Sequence, residues 1–190
     1  MPVTDQDLIQ ITTAALASSA ERAGHHLACH AGCHQCCIGV FPISQLDAHR
    51  LRLAYEVSPK RAAIEARVQD AIKRLSPEFP GDPVTGLLDP DDPAFEEFAN
   101  DEPCPVLDPV TGTCDLYEAR PIPCRTFGPP MRTEDDGLAV CELCFTTATP
   151  EEIAVAEVDP TFLSLEEELN AEYEEQTGKH GPTLIAWALR

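Results

Sequence analysis

Nine cysteines constrain this chain more than any other feature, because their spacing is that of ligands and not of scattered core residues. They fall into an early group and a later group, which are Cys29, Cys33, Cys36 and Cys37, then Cys104, Cys114, Cys124, Cys141 and Cys144. An isolated buried cysteine behaves as a small hydrophobic side chain, but repeated short spacings indicate shared chemistry. We therefore treat all nine as candidate metal ligands.

Two Cys-x2-Cys units stand inside these groups, Cys33–Cys36 and Cys141–Cys144. Two intervening residues let both thiolates reach one ion from a tight turn. The remaining later cysteines recur every ten residues in a block rich in proline and glycine. Together these spacings predict a thiolate site that is assembled from distant segments of the chain.

The N-terminal sequence MPVTDQDLIQ contains two aspartates and no lysine or arginine, so it is not typical of a secretory signal. We therefore expect a cytoplasmic, reducing environment, in which clustered thiols bind metals more often than they pair as structural disulfides. The odd number of cysteines agrees with that expectation.

Charge excludes several classes of partner. The chain has 33 acidic and 13 basic residues, which gives a formal net charge of −20. A surface this acidic would repel nucleic acid and anionic lipid, and no apolar run approaches the about 18 residues of a membrane span. The sequence predicts a metal ion as the partner, and the sequence identifies no protein partner.

The number of thiols suggests how ligands divide. Eight thiolates would complete two tetrahedral zinc sites or two four-cysteine iron–sulfur clusters such as [4Fe–4S], with one cysteine left over. Adjacent side chains in an extended segment point apart, so Cys36 and Cys37 are expected to serve two metals, or one ligates and the other supports it.

Other side chains near the cysteines could take part. His30 and His34 each follow a cysteine directly, and either could replace a thiolate on zinc or iron. Arg120 and Arg125 flank Cys124 and are the nearest cations in sequence that could offset the charge of the thiolates.

Helical patterns frame the cysteine-rich block. Thr4 is placed to cap a helix over residues 4–23, and Ser44 to cap another over about 45–57 with an apolar stripe of Leu46, Leu53, Ala54 and Val57. Pro59 is placed to begin a third helix, whose buried stripe is Ile64, Val68, Ala71, Ile72 and Leu75. An acidic helix follows Asp159-Pro160 and runs to about Gln176, before a short apolar tail.

The segment between residues 76 and 105 holds seven prolines and nine acidic residues, and we interpret it as a surface excursion with a short turn near 94–98. Residues 106–116 predict a small hairpin. The fold class that follows is α+β and mainly α-helical, with an irregular cysteine-rich metal-binding core, a small β-hairpin and helices around it.

The expected organisation has three parts. Residues 1–26 form an N-terminal helix, and residues 27–144 form the cysteine-cluster domain. That domain includes the helices at about 45–75 and the acidic, proline-rich excursion at 76–103. Residues 145–190 form an acidic helical segment.

The order of these motifs resembles the YkgJ-type cysteine-cluster family over roughly residues 27–144. The resemblance is carried by Cys29-x3-Cys33-x2-Cys36-Cys37, Cys104-Pro-Val-Leu-Asp108, Cys114-Asp-Leu-Tyr117, Arg120-Pro121 and Cys124-Arg125, with the two closing cysteines. It implies chelation of zinc or iron, and it does not imply a particular reaction. The family pattern has two residues between its first two cysteines, whereas three separate Cys29 from Cys33 here.

A first alternative is an iron–sulfur protein that acts in electron transfer or as a redox enzyme. The spacing Cys29-x3-Cys33-x2-Cys36 is that of radical SAM enzymes, but no alternating strand–helix pattern and no glycine-rich strand follows it. The sequence also lacks a Ser–His–Asp motif, a P-loop, a G-x-G-x-x-G and an H-E-x-x-H stretch, so no catalytic residue is assigned and enzymatic activity stays open.

A thiol redox sensor is a second alternative, acting through Cys36–Cys37 or Cys141–Cys144. Reactive thiols favour electropositive surroundings, which lower the thiol pKa. The pair Cys141–Cys144 instead stands near Asp135, Asp136 and Glu142 in sequence. These negative charges raise the thiol pKa and so disfavour a redox sensor at this pair.

Overall fold

The computed structural model describes residues 3–133 and 137–190, so Asp135 and Asp136 lie outside the described residues. Within them the helices are α1 Asp5–Ala23, α2 Gln45–Glu56, α3 Arg61–Leu75, α4 Ile122–Thr126, α5 Pro150–Ala156, α6 Thr161–Thr177 and α7 Ile185–Ala188. Three antiparallel pairs of short strands join β1 Gly81–Asp82 to β2 Leu87–Leu88, β3 Leu107–Asp108 to β4 Thr113–Cys114, and β5 Met131–Arg132 to β6 Leu138–Ala139. The predicted class, α+β and mainly helical, is confirmed. Among the helices described, none is long and apolar enough to cross a bilayer.

The chain divides into two compact units. The first unit comprises Met1–His30 and Arg125–Ala171, and the second comprises Ala31–Cys124 and Glu172–Arg190. The predicted boundaries near residues 27 and 144 remain predictions.

The first unit is built on the contact between α1 and α5. Thr4 caps α1 as predicted, because its hydroxyl accepts the backbone N–H of Asp7 and the Asp7 carboxylate accepts the backbone N–H of Thr4. Further along α1 the buried Ser19 hydroxyl donates to the carbonyl of Ala156 at 2.5 Å. This bond fixes the C-terminal half of α1 against the end of α5.

The second unit has its core between α2, α3 and α7. Ile64, Val68 and Ala71 are buried on α3 as predicted. The helix begins at Arg61 and not at Pro59, because the backbone N–H of Arg61 donates to the carbonyl of Ser58 and closes a separate turn before it.

The predicted apolar face of α2 is confirmed at Leu46, which is buried, and at Ala54, which packs on the core, but it is wrong at Leu53 and Val57. Leu53 and Val57 are 53% and 83% exposed, whereas Leu51, Tyr55 and the polar Asp47 are buried. This face is turned to the core because Leu51 and Tyr55 pack in one apolar cluster with Ile64 and Val68 of α3. Ser44 caps α2 as predicted.

The proline-rich segment is anchored more firmly than a surface excursion. Phe79, Leu88 and Phe98 are buried in one cluster with Trp187. The ring of Phe79 lies 4.2 Å from that of Trp187 and edge-on to that of Phe98 at 6.1 Å between centroids. The many prolines and acidic residues conceal these apolar anchors in the sequence, and the hairpin β1–β2 between them was not predicted.

The predicted hairpin at 106–116 is confirmed as β3–β4, with Leu107 opposite Cys114. Its stem is held to α3 by an almost fully buried carboxylate, Asp115, which contacts Lys60 at 2.7 Å and Arg67 at 2.6 Å. Two cations on one buried carboxylate fix this hairpin beside the core of the second unit.

Candidate metal centre

Five of the nine cysteines line one small cavity in the second unit. They are Cys36, Cys37, Cys104, Cys114 and Cys124, and the cavity volume is about 50 Å³. Small-molecule sites usually measure about 300–1,000 Å³, whereas one water needs about 10–15 Å³. The cavity is therefore of a size for an ion and not for an organic substrate.

Backbone pairing brings the first two cysteines to the cavity. Cys37 ends a single turn of 3-10 helix, Gln35–Cys37, and the chain then runs antiparallel to residues 102–104. The carbonyl of Cys37 accepts the N–H of Cys104 at 2.7 Å, and Glu102 accepts the N–H of Gly39 at 2.9 Å. These bonds place the early cysteines directly beside a later one.

The side chains of Cys36 and Cys37 do not point apart, so that expectation is wrong. The two thiols are hydrogen-bonded to each other, and both line the cavity. The physical reason is the helical turn, in which consecutive side chains diverge less than in an extended strand.

Cys104 and Cys114 are brought together by the hairpin and by a tight turn before it. The N–H of Leu107 donates to the carbonyl of Cys104 at 2.9 Å, which closes the turn. The N–H groups of Val106 and Leu107 also donate to the Cys104 sulfur, and that of Leu116 donates to the Cys114 sulfur. Backbone donors directed at sulfur stabilise the thiolate form, which is the form that binds metals.

Cys124 reaches the cavity from α4, whose position is set by a buried carboxylate. Asp47 is 0% exposed and its two oxygens accept the N–H of Ile122 at 3.0 and 3.2 Å. Asp47 also pairs with Arg50 on its own helix. The sequence analysis missed Asp47, because its role rests on a contact with a residue 75 positions later.

Burial keeps three of the five thiols protonated. It raises the pKa of Cys104 to about 12, raises that of Cys124 well above its usual value, and raises that of Cys114. Cys36 is different, because its hydrogen bond with Cys37, together with smaller effects of Arg120 and His34, lowers its pKa to about 6. The same hydrogen bond raises the pKa of Cys37. One thiolate therefore faces several thiols near neutral pH.

Of the described residues that line this cavity, Arg120 is the cationic one. Its guanidinium carbon lies 3.5 Å from the ring centroid of Tyr117, and its Nε donates to the carbonyl of Tyr117 at 2.9 Å. The fixed charge lowers the pKa of Cys36 and of Cys114. The other predicted cation, Arg125, belongs to the first unit.

A second thiol group lies in the first unit and contains Cys29, Cys141 and Cys144. The N–H of Cys144 donates to the carbonyl of Cys141 at 2.8 Å, which closes the Cys-x2-Cys turn. Gly128 touches two of the three cysteines, since its carbonyl accepts the N–H of Cys141 at 3.2 Å and a Cβ on it would stand 2.9 Å from the Cys29 sulfur. The Cys144 sulfur accepts the N–H of Ala28 at 3.4 Å.

The remaining candidates lie apart from the cavity lining. Cys33 belongs to the second unit and is half-buried, and His34 is exposed, with Nδ1 3.0 Å from the carbonyl oxygen of Gly32. His30 is exposed in the first unit. Both groups contain early and late cysteines: two early residues line the cavity with three later ones, and one early residue lies in the first unit with the closing pair.

The donor chemistry of the cavity suits zinc or iron, because soft thiolates are the preferred ligands of both. All nine cysteines are free thiols. Across residues 3–133 and 137–190, no three His, Cys, Asp or Glu side chains converge closely enough to hold an ion as they stand. Binding therefore requires the thiols that line the cavity to turn further toward its centre.

Residues 28–145, which include every cysteine, match a family model named CxxCxxCC and described as "Putative zinc- or iron-chelating domain". This match covers more than half of the chain. Neither the curated proteins nor the solved structures contain a significant match to the chain.

Proposed function

The chain belongs to the CxxCxxCC family of zinc- or iron-chelating domains, and from that premise we propose that it holds a structural zinc ion in the five-cysteine cavity. The ligands that we propose come from Cys36, Cys37, Cys104, Cys114 and Cys124. The observation that carries this proposal is the meeting of five thiols from three separate segments around about 50 Å³ of space.

The number of thiols favours a closed site. Tetrahedral zinc in a structural role takes four protein ligands, whereas catalytic zinc keeps one position open for water or substrate. Five thiols provide four ligands and one further sulfur that can donate a hydrogen bond to them. The cavity is also too small for an organic substrate. Both points favour chelation over catalysis.

A stabilising role for the ion follows from the local structure around it. The hairpin β3–β4 has only two residues in each strand, and α4 has five residues. Elements this short are marginal by themselves, and structural zinc contributes about 10–16 kcal/mol of apparent folding free energy in small peptides. The ion would join the turn at Cys37, the hairpin and α4 into one block.

The three cysteines of the first unit form a second proposed site. Cys29, Cys141 and Cys144 supply three sulfurs, one short of a tetrahedral protein shell, so we propose weaker binding there. On this assignment Cys33 and the fifth thiol of the cavity are the two cysteines without a ligand role. A reducing, cytoplasmic setting accords with nine free thiols.

Iron is the principal alternative to zinc. A four-iron cluster contains eight iron and sulfur atoms, and a cavity of about 50 Å³ favours a single ion over a body of that size. A single iron ion held by four thiolates would use the same ligands and would differ in its visible spectrum.

Thiol redox sensing has one observation in its favour. The hydrogen-bonded pair of Cys36 and Cys37 has a thiolate at Cys36 near neutral pH, beside the guanidinium of Arg120. Such a thiolate reacts with oxidants when no metal covers it. We expect bound zinc to block that reaction, so peroxide sensitivity would be confined to the metal-free protein.

Elemental analysis of protein purified without oxygen tests the assignment. We expect a colourless protein with two zinc ions per chain, one of them removed by a mild chelator. Cys104→Ser should abolish the tightly bound ion, Cys144→Ser should abolish the weakly bound one, and Cys33→Ser should keep both. A brown protein with equimolar iron and sulfide would instead establish an iron–sulfur cluster.

Circular dichroism separates a structural ion from an adventitious one. Strong chelation should lower the melting temperature of the wild-type protein and leave that of the Cys104→Ser variant unchanged. An identical melting curve for the wild type with and without chelator would contradict the proposed structural role.

A further inference from the structure

A second cavity in the second unit, away from the thiols, has the chemistry of a binding site for an organic anion. Its volume is about 340 Å³, which lies in the range of small-molecule sites. Among the residues that the structure describes, its lining includes Arg52, Lys179 and His180 and no acidic side chain. In a chain with 33 acidic and 13 basic residues, two cationic side chains and a histidine around one cavity are a marked local reversal of charge.

The buried part of the lining combines two polar residues, Gln45 and Thr183, with an apolar floor. Trp187, Ala48 and Ala188 line the cavity and are buried. The indole N–H of Trp187 donates to the carbonyl of Pro83 at 2.9 Å, and the ring packs on Phe79, so its position is fixed from two sides. This apolar floor, which Trp187, Ala48 and Ala188 form, is where an apolar group would make contact.

The cations stand where they can meet a negative charge. Arg52 uses Nε and Nη2 to donate to the carbonyl of Ala188 at 3.0 and 2.8 Å, which holds the guanidinium at the cavity and leaves Nη1 outside that contact. Lys179 and His180 are exposed at the rim. His180 lies 3.5 Å from Glu174, the acidic group paired with it.

We propose that this cavity binds a small organic anion, a carboxylate or phosphate monoester with an apolar body. The negative group would meet Arg52 and Lys179, and the apolar body would lie against Trp187. A purely inorganic anion would leave the apolar floor unused, and a neutral apolar ligand would leave the cations without a partner. The site is separate from the five-cysteine cavity and does not depend on metal at that centre.

Trp187 makes the proposal directly measurable, because it is the single tryptophan of the chain. Metal-loaded protein would be titrated with sodium hexanoate, hexyl phosphate, sodium phosphate and hexanol at constant ionic strength, with tryptophan emission as the readout. We expect saturable changes with hexanoate and hexyl phosphate, and at least tenfold weaker responses with inorganic phosphate and hexanol.

Variants connect the response to the cavity. Lys179→Ala should weaken binding of hexanoate by about three- to tenfold, within the range expected for one charge-assisted contact at an exposed rim. Lys73→Ala removes the same charge from an exposed position on α3 that does not line the cavity, and it should leave binding unchanged. Arg52→Lys keeps the charge but not the forked geometry and should weaken binding further.

Three outcomes would overturn the proposal. They are the absence of saturation with both organic anions, equal affinity for inorganic phosphate and hexanoate, or equal weakening by Lys179→Ala and Lys73→Ala. A circular dichroism spectrum of each variant identical to that of the wild type shows that lost binding is not lost folding.

Discussion

The carboxylate of Asp47 on α2 accepts the backbone N–H of Ile122, 75 residues later in the chain, at 3.0 and 3.2 Å. This contact lies at the start of α4 and helps to hold the helix from which Cys124, two residues further on, reaches the five-cysteine cavity. The position of a proposed metal ligand therefore depends on a buried charge that touches no sulfur in the described contacts.

Replacing Asp47 should damage stability and metal binding together. Asp47→Ala leaves the N–H of Ile122 and the guanidinium of Arg50 without their shared acceptor, and we expect a loss of about 3–5 kcal/mol in the free energy of unfolding. Asp47→Asn keeps one acceptor oxygen and should cost less. Urea unfolding measures the loss of stability, and competition with a zinc chelator measures the loss of zinc affinity.

The control for Asp47 is Asp70→Ala, which removes an exposed carboxylate that is paired with Arg74 on α3. A surface pair of this kind contributes about 0–1 kcal/mol, so stability and zinc affinity should both stay close to wild type. Equal effects of the two substitutions, or normal zinc affinity in a folded Asp47→Ala protein, would contradict the positioning role of Asp47.

Zinc affinity should rise steeply with pH. The pKa of Cys104 is raised to about 12 and those of Cys114 and Cys124 are also raised, so each of these thiols must lose a proton to bind zinc at neutral pH. Cys36, with its pKa lowered to about 6, is already ionised above that pH and releases none.

With these four ligands, three protons leave for each zinc ion bound, and affinity should increase about 1,000-fold per pH unit between pH 7 and 8. Below about pH 6 a fourth proton, that of Cys36, adds to the slope. Titrations at several pH values, corrected for protonation of the competing chelator, measure this slope. A slope of one proton or fewer would mean that the buried thiols are not ligands.

Arg120 should tune the site through its charge. Arg120→Gln removes the cation that lowers the pKa of Cys36 and Cys114, so both values should rise and zinc should bind about tenfold more weakly. Alkylation of Cys36 by iodoacetamide in the metal-free protein should slow at pH 7. Arg120→Lys should recover part of both effects, since it keeps the charge.

Arg61→Gln is the matched control for Arg120. Arg61 is also an arginine over a tyrosine ring, 5.3 Å from the centroid of Tyr55, but it does not line the cavity. Its loss should leave the alkylation rate and zinc affinity unchanged. Equal slowing in both variants would show that arginine–tyrosine packing, and not charge at the cavity, produces the effect.

The sequence predicted those elements that depend only on residues close to one another in the chain. Thr4 and Ser44 cap the helices that follow them, and Ile64 and Val68 form the buried face of α3, because capping and helical periodicity act over a few residues. The hairpin at 106–116 was predicted for the same reason.

Long-range contacts account for what the sequence did not predict. The division of cysteines between two groups depends on pairing of residues 37–39 with 102–104, and no local pattern encodes which segments pair. Asp47 looked like an ordinary acidic residue in the first turn of a helix, and only its contact with Ile122 shows its role. The burial of Phe79 and Phe98 was not predicted, because prolines and acidic residues surround them in the sequence.

Gly128 should be required for the second thiol group. Its φ of +134° is unfavourable for other residues, and a Cβ there would stand 2.9 Å from the Cys29 sulfur. Gly128→Ala should therefore destabilise the first unit by about 1–3 kcal/mol and displace Cys29, so the weakly bound zinc is lost.

Gly178→Ala gives the control, because Gly178 also has a positive φ, of +69°, but its Cβ would meet no atom within 4 Å. It should cost stability through backbone strain alone and keep both ions. Zinc content after gel filtration distinguishes the variants, and a Gly128→Ala protein that retains both ions would show that Cys29 is not a ligand.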